Sequence, residues 1–181
     1  MKHFLAFLFC VLALPLAAQT YNYAGQSLLP ADMYEAFLSL STLRQEQEDL
    51  ASRGFELSPQ QQQTLSDYEQ CLKGLIMVEV GFPSCKPCRM LVGEMNKADA
   101  SGFSLLQQWA SKGGRFYQLD WTKDSRSRGG ENLSALWQVQ SVPVLLFFKD
   151  GQLQARLNGF NAQNPKSSLD KIKAWIQSAG Q

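Results

Sequence analysis

The most informative stretch of this sequence is residues 75–88, LIMVEVGFPSCKPC, in which an apolar run leads into two closely spaced cysteines. The run holds three β-branched residues, and this composition predicts a buried central β-strand. Pro87 suits the first turn of a helix, where a missing backbone N–H costs nothing. The stretch therefore predicts a strand followed directly by a helix that begins around Cys85-Lys86-Pro87-Cys88.

The predicted place of Cys85 has a chemical consequence. A cysteine at a helix N-terminus faces unpaired amide protons and the positive end of the helix dipole, which favour the thiolate over the thiol. Lys86 adds a nearby positive charge, so we expect the pKa of Cys85 to lie below the free value of about 8.5. Cys88, one turn further along, is expected to be shielded but close enough to form a disulfide with Cys85.

Two further positions are candidates for the same site. Glu79 is the one acid in the strand; it either faces solvent or lies under the cysteine helix, where burial would raise its pKa and let it exchange a proton with Cys88. Val142-Pro143 directly precedes a strongly apolar strand, at a place where proline cannot donate a hydrogen bond to the ladder. A cis bond there would leave the backbone of Val142 free to pair with an extended peptide.

Beyond this stretch the chain alternates helical patterns with short apolar runs. Helices are predicted at about 86–97, 103–111 and 131–138, a strand at 116–121, a hairpin of strands 144–148 and 153–158 joined by Asp150-Gly151, and a last helix from Pro165. The predicted order is β-α-α-β-α-β-β-α.

The segment before the strand predicts two helices. The first begins at Pro30, ends near Arg53 and has an apolar stripe, but its later turns from Arg44 to Asp49 are entirely polar, which predicts a projecting helix. The second begins at Ser58, an N-cap, and places Cys71 toward a core. Residues 19–72 hold eight acidic and two basic side chains and residues 73–181 hold eight acidic and fourteen basic ones, so the two parts should attract. The apolar stripe of the first helix consists of Met33, Tyr34, Phe37, Leu38 and Leu40.

Overall composition excludes several classes of protein. The chain has 181 residues, 45% of them hydrophobic and 18% charged, as in an ordinary globular protein. With 17 Lys and Arg against 16 Asp and Glu, the net charge of +1 provides no basic field for phosphate backbones, so no nucleic-acid partner is expected.

Residues 1–18 predict a secretory signal peptide. Lys2 and His3 precede an apolar run at 4–14, and Ala17-Ala18 supply small residues before the predicted cleavage site. Cleavage would leave no histidine, which excludes Ser-His-Asp and Cys-His catalysis and imidazole metal sites. The mature chain has no run long enough to span a bilayer, and we expect it in a periplasmic or extracellular space that permits disulfides.

Taken together, these segments resemble the thioredoxin family in order and content. The resemblance covers about residues 74–178 and consists of Val78–Phe82, Cys85–Met90, Leu119-Asp120 and Ser141–Gly151. It implies a thioredoxin fold of the α/β class, with a central mixed β-sheet flanked by helices. The implied organisation is a signal peptide at 1–18, a helical N-terminal extension at 19–57 and a thioredoxin-like domain at 58–181.

The resemblance also implies roles for individual residues. Cys85 would be the attacking thiol, Cys88 the resolving thiol, Glu79 the buried acid and Pro143 a cis-proline beside the disulfide, with substrate contacts at Val142, Pro143 and Lys86. The implied function is that of a periplasmic or secreted protein thiol-disulfide oxidoreductase that needs no cofactor and no metal. Its expected partners are cysteine-containing client proteins and a membrane redox partner that resets the disulfide, and residues 19–53 are a candidate surface for oligomer formation.

The sequence departs from the family at two places near the cysteines. Ser84 stands where the family has an aromatic residue, which predicts a less apolar surface around Cys85. Lys86 matches neither the reducing nor the strongly oxidising members, so the redox direction stays open. The alternative function is a thioredoxin-fold binding or assembly module with a structural Cys85–Cys88 disulfide; a zinc site would lack soft ligands.

Overall fold

The computed structural model describes residues 28–124 and 132–179, so the predicted signal peptide lies outside the described residues. The strands of the described part are Leu75–Gly81 (β1), Arg115–Asp120 (β2), Val144–Lys149 (β3) and Gln152–Asn158 (β4). Its helices are Ala31–Ser52 (α1), Pro59–Cys71 (α2), Lys86–Met95 (α3), Leu105–Ser111 (α4), Trp121–Asp124 (α5), Leu133–Leu136 (α6) and Pro165–Ser178 (α7). None of these helices is long and apolar enough to cross a membrane.

The four strands form one mixed sheet in the order β2-β1-β3-β4. Strand β1 runs parallel to β2 and antiparallel to β3, and β4 returns antiparallel beside β3. Because β1 is central, its apolar run is buried on both faces, as its composition predicts. The predicted central mixed sheet flanked by helices is confirmed.

One short helix was not predicted. The pattern extends the second strand through Trp121, but β2 ends at Asp120 and α5 begins at Trp121. The Asp120 carboxylate accepts hydrogen bonds from the backbone N–H and the hydroxyl of Thr122, at 3.0 and 2.7 Å. An aspartate that captures the amide protons ahead of it favours a helical turn over continued strand.

Helix α1 packs on one face of the sheet through its apolar stripe. Phe37 is buried, with its ring centroid 4.6 Å from that of Phe148 on β3 and 5.3 Å from that of Trp137. Met33 and Leu40 belong to the same apolar cluster, which also includes the inward residues of β1 on this face. The stripe therefore packs against this chain's own sheet. The boundary between an N-terminal extension at 19–57 and a thioredoxin-like domain at 58–181 remains a prediction.

The prediction that the polar turns of α1 project is wrong. Helix α2 lies alongside them and forms polar contacts with them: Arg44 pairs with Glu69 at 3.0 Å, and the Gln61 amide donates to Glu46 at 2.8 Å. Leu43 and Leu50 flank these turns and pack on the apolar cluster that α1 and α2 share. Polar side chains on a helix face do not distinguish solvent from a neighbouring helix that is itself polar. Helix α2 begins at the predicted N-cap Ser58, which forms a capping box with Gln61.

The opposite face of the sheet is covered by α3, α4 and α7. Met77 on β1 and Phe147 on β3 join buried side chains of these three helices in a second apolar cluster. Trp109 of α4 packs edge-on against Phe147, with ring centroids 5.6 Å apart. This layer holds α3 against the sheet, and the N-terminus of α3 carries the cysteine pair just beyond the end of β1.

The β3–β4 hairpin turns at Asp150-Gly151, as predicted, and both residues have positive φ, 51° and 75°. An added Cβ at Gly151 would meet the Leu40 Cδ2 atom at 3.0 Å. We expect Gly151→Ala to lower the free energy of unfolding by about 1–2 kcal/mol, from strain and crowding together. Chemical denaturation measures this effect. Gly93→Ala is the matched control: Gly93 is exposed in α3 with nothing near its added Cβ, so stability should hold or rise, and equal losses in both variants would contradict the argument.

Candidate functional site

Cys85 and Cys88 form a disulfide at the N-terminus of α3. Cys85 is the N-cap residue, and its Sγ accepts a hydrogen bond from the backbone N–H of Cys88 at 3.2 Å. The Cys85 N–H donates to the carbonyl of Phe82 at 2.9 Å, which closes the turn between β1 and α3. Cys85 is 6% exposed and Cys88 is fully buried, so the two sulfurs are not equivalent toward solvent.

Pro143 lies at the same end of the sheet as the disulfide. Val80, near the end of β1, pairs with Val144, the first residue of β3, and this register places Pro143 beside the turn that leads to Cys85. The Val142–Pro143 peptide bond is cis, as the resemblance implies. Pro143 is buried and Val142 is half-buried. The carbonyl of Pro143 accepts a hydrogen bond from the Gly159 N–H at 2.8 Å, which ties this segment to the end of β4.

Glu79 is fully buried, and the solvent-facing interpretation of this residue is wrong. Side chains alternate along a strand, so Glu79 shares the face of Met77, which packs in the cluster with α3. The Oε2 atom of Glu79 accepts a hydrogen bond from the Nε2 atom of Gln118 at 3.1 Å. The buried carboxylate is thus on the same side of the sheet as the cysteine helix.

Sequence reasoning missed Gln118. It lies directly across from Glu79 in the parallel β1–β2 register and is only 8% exposed. The available signal was its position in the run Arg115–Asp120, where it shares the inward face with Phe116. Glutamine is rarely buried, and a buried side-chain amide such as that of Gln118 needs a hydrogen-bond partner.

A stacked aromatic pair was also missed. The rings of Phe82 and Trp121 lie 6.4 Å apart at an angle of 26°. Both residues are half-buried and follow the carboxyl ends of β1 and β2. The loss of an aromatic residue at Ser84 predicts a less apolar surface here, but Phe82 and Trp121 supply aromatic surface at the same end of the sheet.

Lys86 and Cys71 occupy different ends of the molecule. Lys86 is the first residue of α3 and is exposed next to Cys85. Cys71 is buried at the end of α2, as predicted, and its Sγ lies 3.8 Å from a carboxylate oxygen of Asp32. Because α2 precedes the start of β1 while the disulfide follows its end, Cys71 does not belong to the site.

The parallel β1–β2 pair, the β3–β4 hairpin, the disulfide at the start of α3 and the cis-proline before β3 form one arrangement. Helices cover both faces of the sheet that carries them. The chain has a thioredoxin fold. In this thioredoxin fold the disulfide follows strand β1, and the cis-proline directly precedes β3, the antiparallel neighbour of β1.

Comparison with known proteins gives structural matches only. No protein-family model matches the sequence, and no curated protein matches it. Among solved structures, the chain is similar to the thioredoxin Mala s 13 of Malassezia sympodialis, at 19% identity and a TM-score of 0.45, over 64% of this chain and 85% of that one. Mitochondrial thioredoxin 3 of Saccharomyces cerevisiae matches at 20% identity and a TM-score of 0.42, over 61% and 89% of the two chains. Thioredoxin f of spinach chloroplast matches at 17% identity and 0.41, over 60% and 79%.

Proposed function

We propose that this chain is a periplasmic or secreted protein thiol-disulfide oxidoreductase that works through Cys85 and Cys88. The observation that supports the proposal is the asymmetry of the disulfide: Cys85, at the N-cap of α3, keeps 6% of its surface exposed, whereas Cys88, one turn further in, keeps none. A purely structural disulfide does not need one sulfur that is more accessible than the other. Thiol-disulfide exchange does need an accessible sulfur, because the attacking sulfur must approach the disulfide along the axis of the S–S bond that breaks.

The reduced pair would act in two steps. The Cys85 thiolate, stabilised by the helix N-terminus, attacks one sulfur of a client disulfide. A Cys85–client bond forms, the client S–S bond breaks, and the other client sulfur leaves as a thiolate that takes up a proton. Cys88 then loses its proton and attacks the Cys85 sulfur, which releases the second client sulfur and reforms the Cys85–Cys88 disulfide. Two electrons pass to the client, and oxidation of a client dithiol is the same sequence in reverse.

Glu79 is proposed to accept the proton of Cys88 in the second step. A buried thiol must lose its proton before it can attack, and the carboxylate lies on the face of the sheet that α3 covers. We expect Glu79→Gln to slow the release step about tenfold or more at neutral pH and to leave the initial attack by Cys85 near the native rate. Rapid mixing with a fluorescent disulfide-bonded peptide resolves the two steps.

Glu48→Gln is the matched control for this prediction, because Glu48 is an exposed acid of α1 on the far side of the chain from α3. It should leave both rates unchanged. Native rates for both steps in Glu79→Gln would remove the proton-transfer role.

Client contact is proposed at Val142, Pro143 and Lys86, which lie at the end of the sheet that carries the disulfide. The partners proposed are cysteine-containing client proteins and a membrane redox partner that resets the pair. The extracytoplasmic location is supported by the signal-like pattern of residues 1–18.

The decisive experiment is the equilibrium reduction potential of the Cys85–Cys88 pair in a glutathione buffer. A catalytic pair should have a potential well above about −300 mV, whereas structural disulfides lie below that value. A low potential, together with no reduction of a disulfide-bonded test protein, would favour a binding module with a static disulfide.

A further inference from the structure

The face of the sheet opposite α3 carries a groove between α1, the end of α6 and β4. The groove has a volume of about 480 Å³, and its buried lining is aromatic: Phe37, Trp137 and Phe148. Leu136 and Leu153 line the same groove and are each 44% exposed. Large apolar side chains that stay this exposed around one groove mark a surface on which a partner can bury apolar area.

The charges that line this groove are positive. Arg44 and Arg156 are among its lining residues, and no acidic residue of the described chain is. Arg44 already pairs with Glu69 of α2. Within the described residues the partners of Arg156 are neutral: its guanidinium donates to the Trp137 carbonyl at 3.0 Å and to the side-chain oxygen of Asn158 at 2.9 Å. A guanidinium has five N–H donors, so Arg156 has donors left for a carboxylate.

Strand β4 borders the groove and is an outer strand of the sheet. No described segment pairs with its outer edge, whereas the other edge of the sheet, β2, is partly covered by a bridge between Leu28 and Gln118. Strand β4 contains neither proline nor lysine, the residues that commonly protect a sheet edge from strand pairing. Its outer edge is therefore suited to pairing with an extended segment of another protein.

The direction of the backbone groups along β4 follows from the hydrogen bond at its end. The Gly159 N–H donates to the Pro143 carbonyl at 2.8 Å, on the side of β3. In an antiparallel pair the N–H and C=O groups of every second residue point to the partner strand, so those of Arg156 and Asn158 point away from β3. The side chain of Arg156 is on the groove side, because its cross-strand partner Leu146 packs in the cluster with α1. Arg156 thus combines an outward backbone with a cation at the groove.

We propose that this groove and the edge of β4 form a docking site for an extended segment of a partner protein, in which an acidic residue lies two positions from an apolar one. Residues two positions apart share one face of a strand. The segment pairs with the outward backbone groups of Arg156 and Asn158. Its carboxylate binds the Arg156 guanidinium, and its apolar side chain packs on Leu136 and Leu153.

A second copy of this chain fits the site less well than a different partner does. Pairing with the β4 strand of a second copy would supply no acid to Arg156, because Gln152–Asn158 contains none. The proposal is independent of disulfide exchange, since the groove lies on the face of the sheet away from α3.

Binding of the end-blocked heptapeptide Thr-Leu-Thr-Glu-Thr-Leu-Thr to the full chain in its disulfide form tests the proposal. Amide NMR spectra should shift along β4 and around the groove, and hydrogen exchange at the amides of Arg156 and Asn158 should slow. The same peptide with glutamine in place of glutamate should bind about five- to tenfold more weakly, because it lacks the charged partner of Arg156. Shifts confined to the end of the sheet that carries the disulfide, or no shifts with either peptide, would overturn the proposal.

Arg156→Gln should remove the preference for the glutamate peptide, so that both peptides bind equally. Arg53→Gln, at an exposed arginine directly after α1, is the matched control and should keep the preference. If Arg156→Gln fails to fold because the bond to the Trp137 carbonyl is lost, Leu153→Lys, at an exposed position, should still weaken both peptides about fivefold or more. A preference that survives in folded Arg156→Gln, or native affinity in Leu153→Lys, would contradict the assigned contacts.

Two further outcomes would assign the groove to another occupant and overturn the proposal. Decanoate is an apolar carboxylate without backbone amides; if it displaces the peptide and leaves hydrogen exchange at Arg156 unchanged, the groove binds small amphipathic anions. Sedimentation of the chain without peptide tests for self-association. A dimer that Leu153→Lys converts to a monomer would mean that a second copy covers this edge.

Discussion

Cys85→Ala is expected to lower disulfide exchange by roughly three orders of magnitude, to the background rate of the reductant, because it removes the nucleophile. Cys88→Ala is expected to leave the first attack intact and to stop the second, so mixed disulfides with client proteins should accumulate. The structural reason is that Cys85, the N-cap of α3, is the cysteine of the pair that keeps some exposure, 6%, while Cys88 is fully buried. Non-reducing electrophoresis followed by mass spectrometry of the trapped species measures both effects.

Cys71→Ala provides the control, because Cys71 is a cysteine of the same chain that lies before the start of β1, at the opposite end of the sheet from the disulfide. It should leave the exchange rate unchanged, and its effect should be confined to stability. Trapping of clients through Cys71 in a Cys85→Ala protein would refute the assignment of roles. Equal trapping by Cys85→Ala and Cys88→Ala would show that the two sulfurs are equally accessible, against the geometry.

Phe37→Ala is expected to lower the free energy of unfolding by about 3–5 kcal/mol, the cost of removing a large aromatic side chain from a packed core. Phe37 is 5% exposed and joins α1 to the sheet through ring contacts with Trp137 and Phe148. A loss of this size is a large part of the stability of a typical domain. Urea denaturation followed by tryptophan fluorescence measures it.

The matched control for Phe37→Ala is Gln47→Ala, at an exposed position of the same helix. This change should alter the free energy of unfolding by no more than about 0.5 kcal/mol. A denaturation curve for Phe37→Ala that coincides with the native one would mean that α1 does not contribute to the cooperative core. In that case the apolar stripe of the N-terminal segment would be available for the oligomer contact that residues 19–53 are predicted to make.

Local patterns in the sequence were sufficient to predict most elements of the fold, α5 excepted. The β-branched run of β1, the Cys85-Lys86-Pro87-Cys88 helix start and the Asp150-Gly151 turn are each specified by residues within a few positions of one another. Such signals act through backbone propensity and capping, which need no distant partner. For the same reason the order of the strands and longer helices, and the position of Cys85 at the start of α3, were predictable.

The cis geometry at Pro143 was predictable only in part from the sequence. The family resemblance implies a cis bond before this apolar strand, but the geometry itself is a property of the folded chain. The ends of strands and helices were less predictable, because a single capping residue such as Asp120 can end a strand and begin a helical turn.

Only the tertiary structure decided which side of the sheet each polar residue faces and what it meets there. Alternation along β1 places Glu79 on one of the two faces of the sheet. Because the residues of β1 are apolar on both faces, the sequence pattern does not show whether the face that carries Glu79 is covered or open to solvent. Its contact with Gln118 joins residues 39 positions apart and depends on the parallel register of β1 and β2. In the same way, α1 carries an apolar stripe by its sequence alone, but the surface that covers it is set by strands that follow it in the chain. Periodicity specifies that a side chain needs a partner, whereas the identity of the partner depends on long-range packing that no local pattern encodes.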